Sequence, residues 1–163
     1  MKVIVLGVGN ILLSDEGVGV RAIETLREKY DFPDSIDVID GGTMGLDLLP
    51  FIEGKDRVLL IDAVNVNEPP GTIVKIEGCD IPKFLSQKMS VHQIGLPDML
   101  CAANLTGILP NELFLVGIQP KTMDTGLSLS DDIMDRMDCL VEIVITKLRE
   151  WDVPIKEKAG ALY

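Results

Sequence analysis

The sequence predicts an α/β domain, a three-layer α/β/α sandwich around a mostly parallel sheet of five strands. Three observations predict it. Short, unbroken runs of Val, Ile and Leu recur and stop at glycine or aspartate, as strands buried on both faces do. Stretches with apolar residues at helical spacing alternate with those runs. One connection between strands is too short for a helix, which puts a single antiparallel strand at a sheet edge.

In chain order, Val3–Leu6 is the first strand and ends at Gly7 and Gly9. Ser14 or Asp15 is the expected N-cap of the next element, whose apolar residues Val18, Ala22, Ile23, Leu26 and Tyr30 follow helical spacing until Pro33. Ile36–Ile39 is the second strand and runs into Asp40-Gly41-Gly42-Thr43; Leu46, Leu48, Leu49 and Ile52 then suggest a short helix interrupted by Pro50. Val58–Ile61 is the third strand, ending at Asp62-Ala63. After the Pro69-Pro70-Gly71 turn, Thr72–Ile76 is the fourth, expected to pair antiparallel with the third. Ile81–Met89 has no decisive pattern. Ile94–Leu105 reads as a helix, with Pro97 near its start and Gly107 beyond its end. Leu113–Ile118 is the last strand, and one amphipathic helix carries Ile133, Met137, Leu140, Val144, Leu148 and Trp151. The tail from Pro154 to Tyr163 lacks a strong pattern and is expected to be loosely held. Right-handed crossovers favour the central order 2-1-3, with a ligand crevice between the first and third strands.

The length of 163 residues suits a single domain spanning 1–163 that needs no disulfide or structural metal to fold. Aromatics make up only 4%, so the core rests on Val, Ile, Leu and Met. A net charge of −11 argues against nucleic acid or an anionic membrane surface as the main partner, since both need positive potential. The N-terminal apolar run is too brief for a signal sequence, and none approaches the ~18 residues of a membrane span. The expectation is a soluble, cytoplasmic protein without membrane insertion. Cys79, Cys101 and Cys139 are widely spaced, without a C-x-x-C pair, and are expected to be small buried hydrophobes rather than zinc ligands.

The residues able to do chemistry gather after the strands. Gly7-Val8-Gly9-Asn10-Ile11-Leu12 resembles a dinucleotide fingerprint but has Leu12 in place of the third glycine. Asp15 and Glu16 stand where a pyrophosphate would approach, and they compete for the same N–H groups. The turn is better read as one that presents Glu16. Asp62 ends the third strand and Asp40 the second, so three carboxylates share one sheet edge. His92, the single histidine, precedes the Ile94–Leu105 helix in Ser90-Val91-His92-Gln93. Two carboxylates and an imidazole make an incomplete site for a borderline divalent cation such as nickel or zinc, with positions left for water or substrate. Nucleophile schemes fare worse: there is no G-x-S-x-G elbow and no H-E-x-x-H helix. A Cys101–His92 pair is poorly spaced, an aspartic dyad drawn from Asp15, Asp40 and Asp62 lacks a D-T-G setting, and Asp124-Thr125-Gly126 reads as a turn.

Gly7-Val8-Gly9-Asn10, Asp15-Glu16-Gly17-Val18-Gly19, Asp40-Gly41-Gly42-Thr43, Asp62-Ala63 and His92, in that order, resemble the hydrogenase maturation protease family from residue 1 to about residue 150. The resemblance implies a twisted five-stranded sheet between helices. It implies an endopeptidase that removes the C-terminal extension of the nickel–iron hydrogenase large-subunit precursor after nickel insertion. The family's three metal-contacting positions fall on Glu16, Asp62 and His92, with nickel carried by the precursor and another divalent cation able to substitute. Asp40 or Asp15 would then be the base that activates water, in an aspartic-type or metal-assisted hydrolysis. A nickel-binding maturation factor without peptidase activity and a Rossmann-like nucleotide-binding enzyme are the alternatives.

Overall fold

The computed structural model describes residues 1–78, 80–88 and 95–160. Its elements are β1 (Val3–Val8), a 3-10 turn at Ser14–Gly17, α1 (Val18–Lys29), β2 (Tyr30–Asp31), β3 (Ile36–Gly42), a 3-10 turn at Gly45–Leu48, α2 (Leu49–Ile52), β4 (Arg57–Ala63), β5 (Ile73–Glu77), α3 (Asp80–Lys88), α4 (Leu96–Leu105), β6 (Glu112–Ile118), α5 (Asp131–Met134), α6 (Met137–Glu150) and β7 (Lys156–Glu157).

Five strands form one sheet in the order β3-β1-β4-β6-β5. The pairs β1–β3, β1–β4 and β4–β6 are parallel, and β5 runs antiparallel to β6. All of β1, and all but the first residue of β4 and β6, are buried, which is why these segments are apolar on both faces. Period-two alternation splits the core. Val3, Val5, Leu59 and Ile61 pack with α1 and α6, while Ile4, Leu6, Val58 and Leu60 pack with α2 and α4. Three layers result. Asp62 continues the alternation of Val58 and Leu60, which brings it to the α4 side.

Helix α1 starts in close contact with the strands. A Cβ on Gly19 would lie 2.4 Å from the carbonyl oxygens of both Ile61 and Val8, and one on Gly7 would lie 2.1 Å from the Gly19 oxygen. Without side chains at both positions, the start of α1 packs directly against the ends of β1 and β4.

Several expectations are corrected. The fourth strand is antiparallel and at an edge, but its neighbour is β6 and not β4. Strand β6, apolar from Leu113 to Ile118, takes the interior place, and β5, with Lys75 and Glu77, suits a half-exposed edge. Pro50 lies in the first turn of α2, where its missing N–H is harmless, so it begins that helix and does not interrupt it. The C-terminal amphipathic stretch breaks into α5 and α6 where Arg136 N–H bonds back to Ile133 in a tight turn. Residues 81–88 are helical within α3. Within the tail, β7 pairs with β2, and Lys158 N–H donates to the Lys29 carbonyl at 2.9 Å. Cys101 and Cys139 are exposed and not buried, because each lies on the outer side of its amphipathic helix; Cys79 lies outside the described residues. Among the described residues no helix is long and apolar enough to cross a membrane.

Candidate active site

Strands β1, β3 and β4 end side by side at the C-terminal edge of the sheet, in the order β3-β1-β4. The chain leaving β1 turns at Gly9, whose φ of 138° is unfavourable for any side chain and whose Cβ would lie 2.0 Å from the Glu16 carbonyl oxygen. Asn10 then organises the loop. Its Oδ1 accepts the Leu12 N–H at 2.9 Å, its carbonyl accepts the Leu13 N–H at 3.1 Å, and its own N–H donates to the Glu16 carboxylate. The loop thus folds back and delivers Glu16 beside the strand ends.

Glu16 and Asp62 face one crevice of about 60 Å³, walled by Val8, Thr43, Leu48 and Leu96. Asp62 is 3% exposed and accepts the Ala63 N–H at 2.8 Å. Burial pushes its carboxyl well above the usual carboxylate range, and the nearby Glu16 adds to the shift, while the Ala63 N–H opposes it. Burial also raises the half-buried Glu16, against the Asn10 N–H. Two acids therefore share a pocket that disfavours their charges, and a cation between them would offset that cost.

The other expected residues take different places. His92 lies outside the described residues, as does the Ser90–Gln93 segment; Gly95 and Leu96, three and four positions along the chain, line the crevice. Among the described residues no cluster of three or more His, Cys, Asp or Glu side chains is close enough to hold a metal. Asp40 is exposed at the end of β3, with its Oδ1 accepting the Gly42 N–H at 2.9 Å. It lines an adjoining groove and not the crevice itself.

Asp15 is fully buried and turned elsewhere. Its carboxylate accepts the N–H groups of Lys121, Thr122 and Ser130 at 3.0, 3.1 and 2.7 Å and the Ser130 hydroxyl at 2.8 Å. Ser14 Oγ donates to the Asp124 carbonyl at 2.8 Å. Contrary to the expectation that Ser14 or Asp15 caps it, neither side chain caps α1. Both are committed to the 119–130 loop, and Gly17 precedes the helix without a side-chain cap. Asp124-Thr125-Gly126 belongs to that loop, where Gly126 exchanges backbone bonds with Leu12 and Ser14 at 2.9 Å.

A larger cleft of about 640 Å³ lies between β5 and α6, around Lys75, Phe114 and Ile143, on the opposite face of the sheet. On its wall Lys147 pairs with Glu77 and Glu150, and neither Glu16 nor Asp62 reaches it.

The model of the hydrogenase maturation protease family matches residues 20–147. The chain belongs to that family. Hydrogenase maturation proteases are peptidases, so the chain is a hydrolase. It is 38% identical over 151 residues to the hydrogenase 2 maturation protease of Escherichia coli strain K12, covering 92% of each chain. It is also 38% identical over 160 residues to a hydrogenase expression/formation protein of Rhodobacter capsulatus, covering 97% of this chain and 76% of that one. The structure of the E. coli hydrogenase maturating endopeptidase superposes with a TM-score of 0.91 at 36% identity, covering 97% of this chain and 98% of that one. A nickel–iron hydrogenase maturation protease of Thermococcus kodakarensis gives 0.74 at 31% identity, covering 90% and 98%.

Within this maturation protease fold, Asn10 and the 119–130 loop are the site-building parts that the sequence did not disclose. Asn10 follows the Gly-x-Gly turn closely enough to be suspected of an Asx turn. The contacts of Asp15 span more than 100 residues, and no local pattern carries them.

Proposed function

We propose that this chain is a cytoplasmic endopeptidase that removes the C-terminal extension of a nickel–iron hydrogenase large-subunit precursor once nickel is in place. The observation that carries the reading is the Glu16–Asp62 pair: two carboxylates in one crevice, with Asp62 buried and its charge disfavoured. Such a pair suits a divalent cation, and His92, just upstream of the crevice-lining Gly95, is the proposed third ligand. Oxygen and imidazole donors fit nickel, and zinc or another divalent cation satisfies the same set. The nickel arrives with the precursor and is part of the substrate. Its role there is to identify a precursor that is ready to be cut and to hold the adjacent peptide bond against the crevice.

Hydrolysis adds water across that bond. Oxygen joins the carbonyl carbon, the C–N bond breaks, and the amine of the departing extension takes up a proton. Asp40 is the proposed group that accepts the water proton and returns it to the amine, because it is exposed beside the crevice with one carboxylate oxygen unused by Gly42. Asp15 is not assigned this role, since its carboxylate already serves four donors.

The test is incubation with nickel-loaded precursor, read by mass spectrometry. The expected result is one truncated product whose mass falls by that of the extension, with the reaction lost in Glu16→Gln and Asp62→Asn and strongly slowed in Asp40→Asn. An intact precursor that binds the protein through nickel would identify a maturation factor without peptidase activity.

A further inference from the structure

The groove beside the crevice has its own composition. It encloses about 290 Å³ between Ile11, Leu12, Val20 and Asp40, and it shares Gly9, Gly42 and Thr43 with the crevice. The two are therefore continuous across the ends of β1 and β3. Apart from Asp40 and Asn10, the side chains on its wall are apolar or threonine. Leu12 is 55% exposed at its rim, and Ile11 is exposed too.

These apolar residues are held in place. The Asn10 side chain and carbonyl fix the turn through the Leu12 and Leu13 N–H groups, and Gly126 N–H bonds the Leu12 carbonyl. The Asn10 N–H also binds the Glu16 carboxylate, so one turn carries both the groove wall and a crevice acid. Met44, Leu46 and Leu127 are exposed on the loops after β3 and beside Leu12. An apolar rim built on rigid turns at the mouth of a site marks a surface for binding polypeptide.

We propose that this groove is the subsite that seats an apolar side chain of the precursor's C-terminal extension, within a few residues downstream of the cut. The inference rests on the processing activity proposed above. If Glu16 and Asp62 engage the nickel-bearing side of the scissile bond, the space continuous with the crevice is left for the departing side. The extension is the part that leaves, and one apolar side chain in a preformed groove holds it long enough to be cut. Asp40, at the end of the groove, then stands beside the new amine.

The experiment measures kcat and KM for nickel-loaded precursor with wild type, Leu12→Gln, the double variant Ile11→Gln/Leu12→Gln, Leu12→Met, and Leu105→Gln. Leu105 is 80% exposed at the end of α4, away from the groove, and serves as the control. The expected result is a KM raised about tenfold by the double variant, with kcat changed much less, because the lost contact holds substrate and transition state alike. Leu12→Met should restore most of the loss and Leu105→Gln should have no effect. On the substrate side, replacing the apolar residue nearest the cut in the extension with Asn should raise KM for wild type and add little for the double variant. Wild-type cleavage with unchanged KM in the double variant would overturn the subsite and leave the processing activity standing. A wild-type enzyme that fails to cut would overturn both.

Discussion

Asp15 and Glu16 are neighbours with opposite tasks. Asp15 is buried under four donors that tie the turn after β1 to the 119–130 loop, while Glu16 looks into the crevice. Replacing Asp15 with Ala leaves those N–H groups without a partner and should cost on the order of 3 kcal/mol in denaturant unfolding, with Asp15→Asn costing less. Unchanged stability with abolished cleavage would instead mark Asp15 as the base. Asp62 behaves in the contrary way. Its carboxyl is raised by burial and by Glu16, so the folded protein holds a proton there that the unfolded chain releases above about pH 4. The metal-free protein therefore loses stability as pH rises through that window, and the penalty is fully present above the folded-state pKa. Asp62→Asn removes the charge: it should raise the unfolding temperature by several degrees near pH ~8 and change little near pH ~4, while ending activity. A variant less stable than wild type at both pH values would contradict the account. The sequence pointed to Asp62 because a carboxylate ending an apolar strand stands out. It singled out Glu16 as the residue that the turn presents, but left Asp15 as a cap or a base, because the partners of Asp15 lie more than 100 residues away.

At the scale of elements, the Gly7–Gly19 contact sets how α1 meets the sheet, and through α1 the turn that carries Glu16. Gly19→Ala places a methyl group 2.4 Å from two strand carbonyls, which must move apart. The expected cost is about 3 kcal/mol, with cleavage reduced beyond what the unfolded fraction explains. A neutral Gly19→Ala variant would mean that the helix can shift without consequence for the site. Strands β1, β4 and β6 were legible because burial on both faces leaves an unbroken apolar run. The partner of β5 was not legible: antiparallel direction follows from a short connection, but the strand it joins depends on where β6, some 35 residues later, inserts. The break between α5 and α6 was hidden for a similar reason, since Ile133 keeps the spacing of the longer helix while the backbone tightens at Arg136. The pairing of Lys156–Glu157 with Tyr30–Asp31 is likewise not announced by those residues themselves.

For the whole molecule, the layers bring Asp62 at the end of β4 and Glu16 in the turn after β1 into one crevice, and continue it as an apolar groove along the loop after β1. Ile11 and Leu12, both exposed, line that groove, and Met44, Leu46 and Leu127 are further exposed apolar residues of the neighbouring loops. The chain's net charge of −11 suits a partner that presents a cation. The central claim is that the crevice reads nickel carried by the precursor and cuts only when nickel is there. The most direct measurement is the initial rate of extension release from one precursor preparation, divided into metal-free and nickel-loaded halves and exposed to the same enzyme. The account predicts rapid release from the nickel-loaded half and a rate at least a hundredfold lower, on the order of 3 kcal/mol of discrimination, from the metal-free half. Equal rates from the two halves would contradict it.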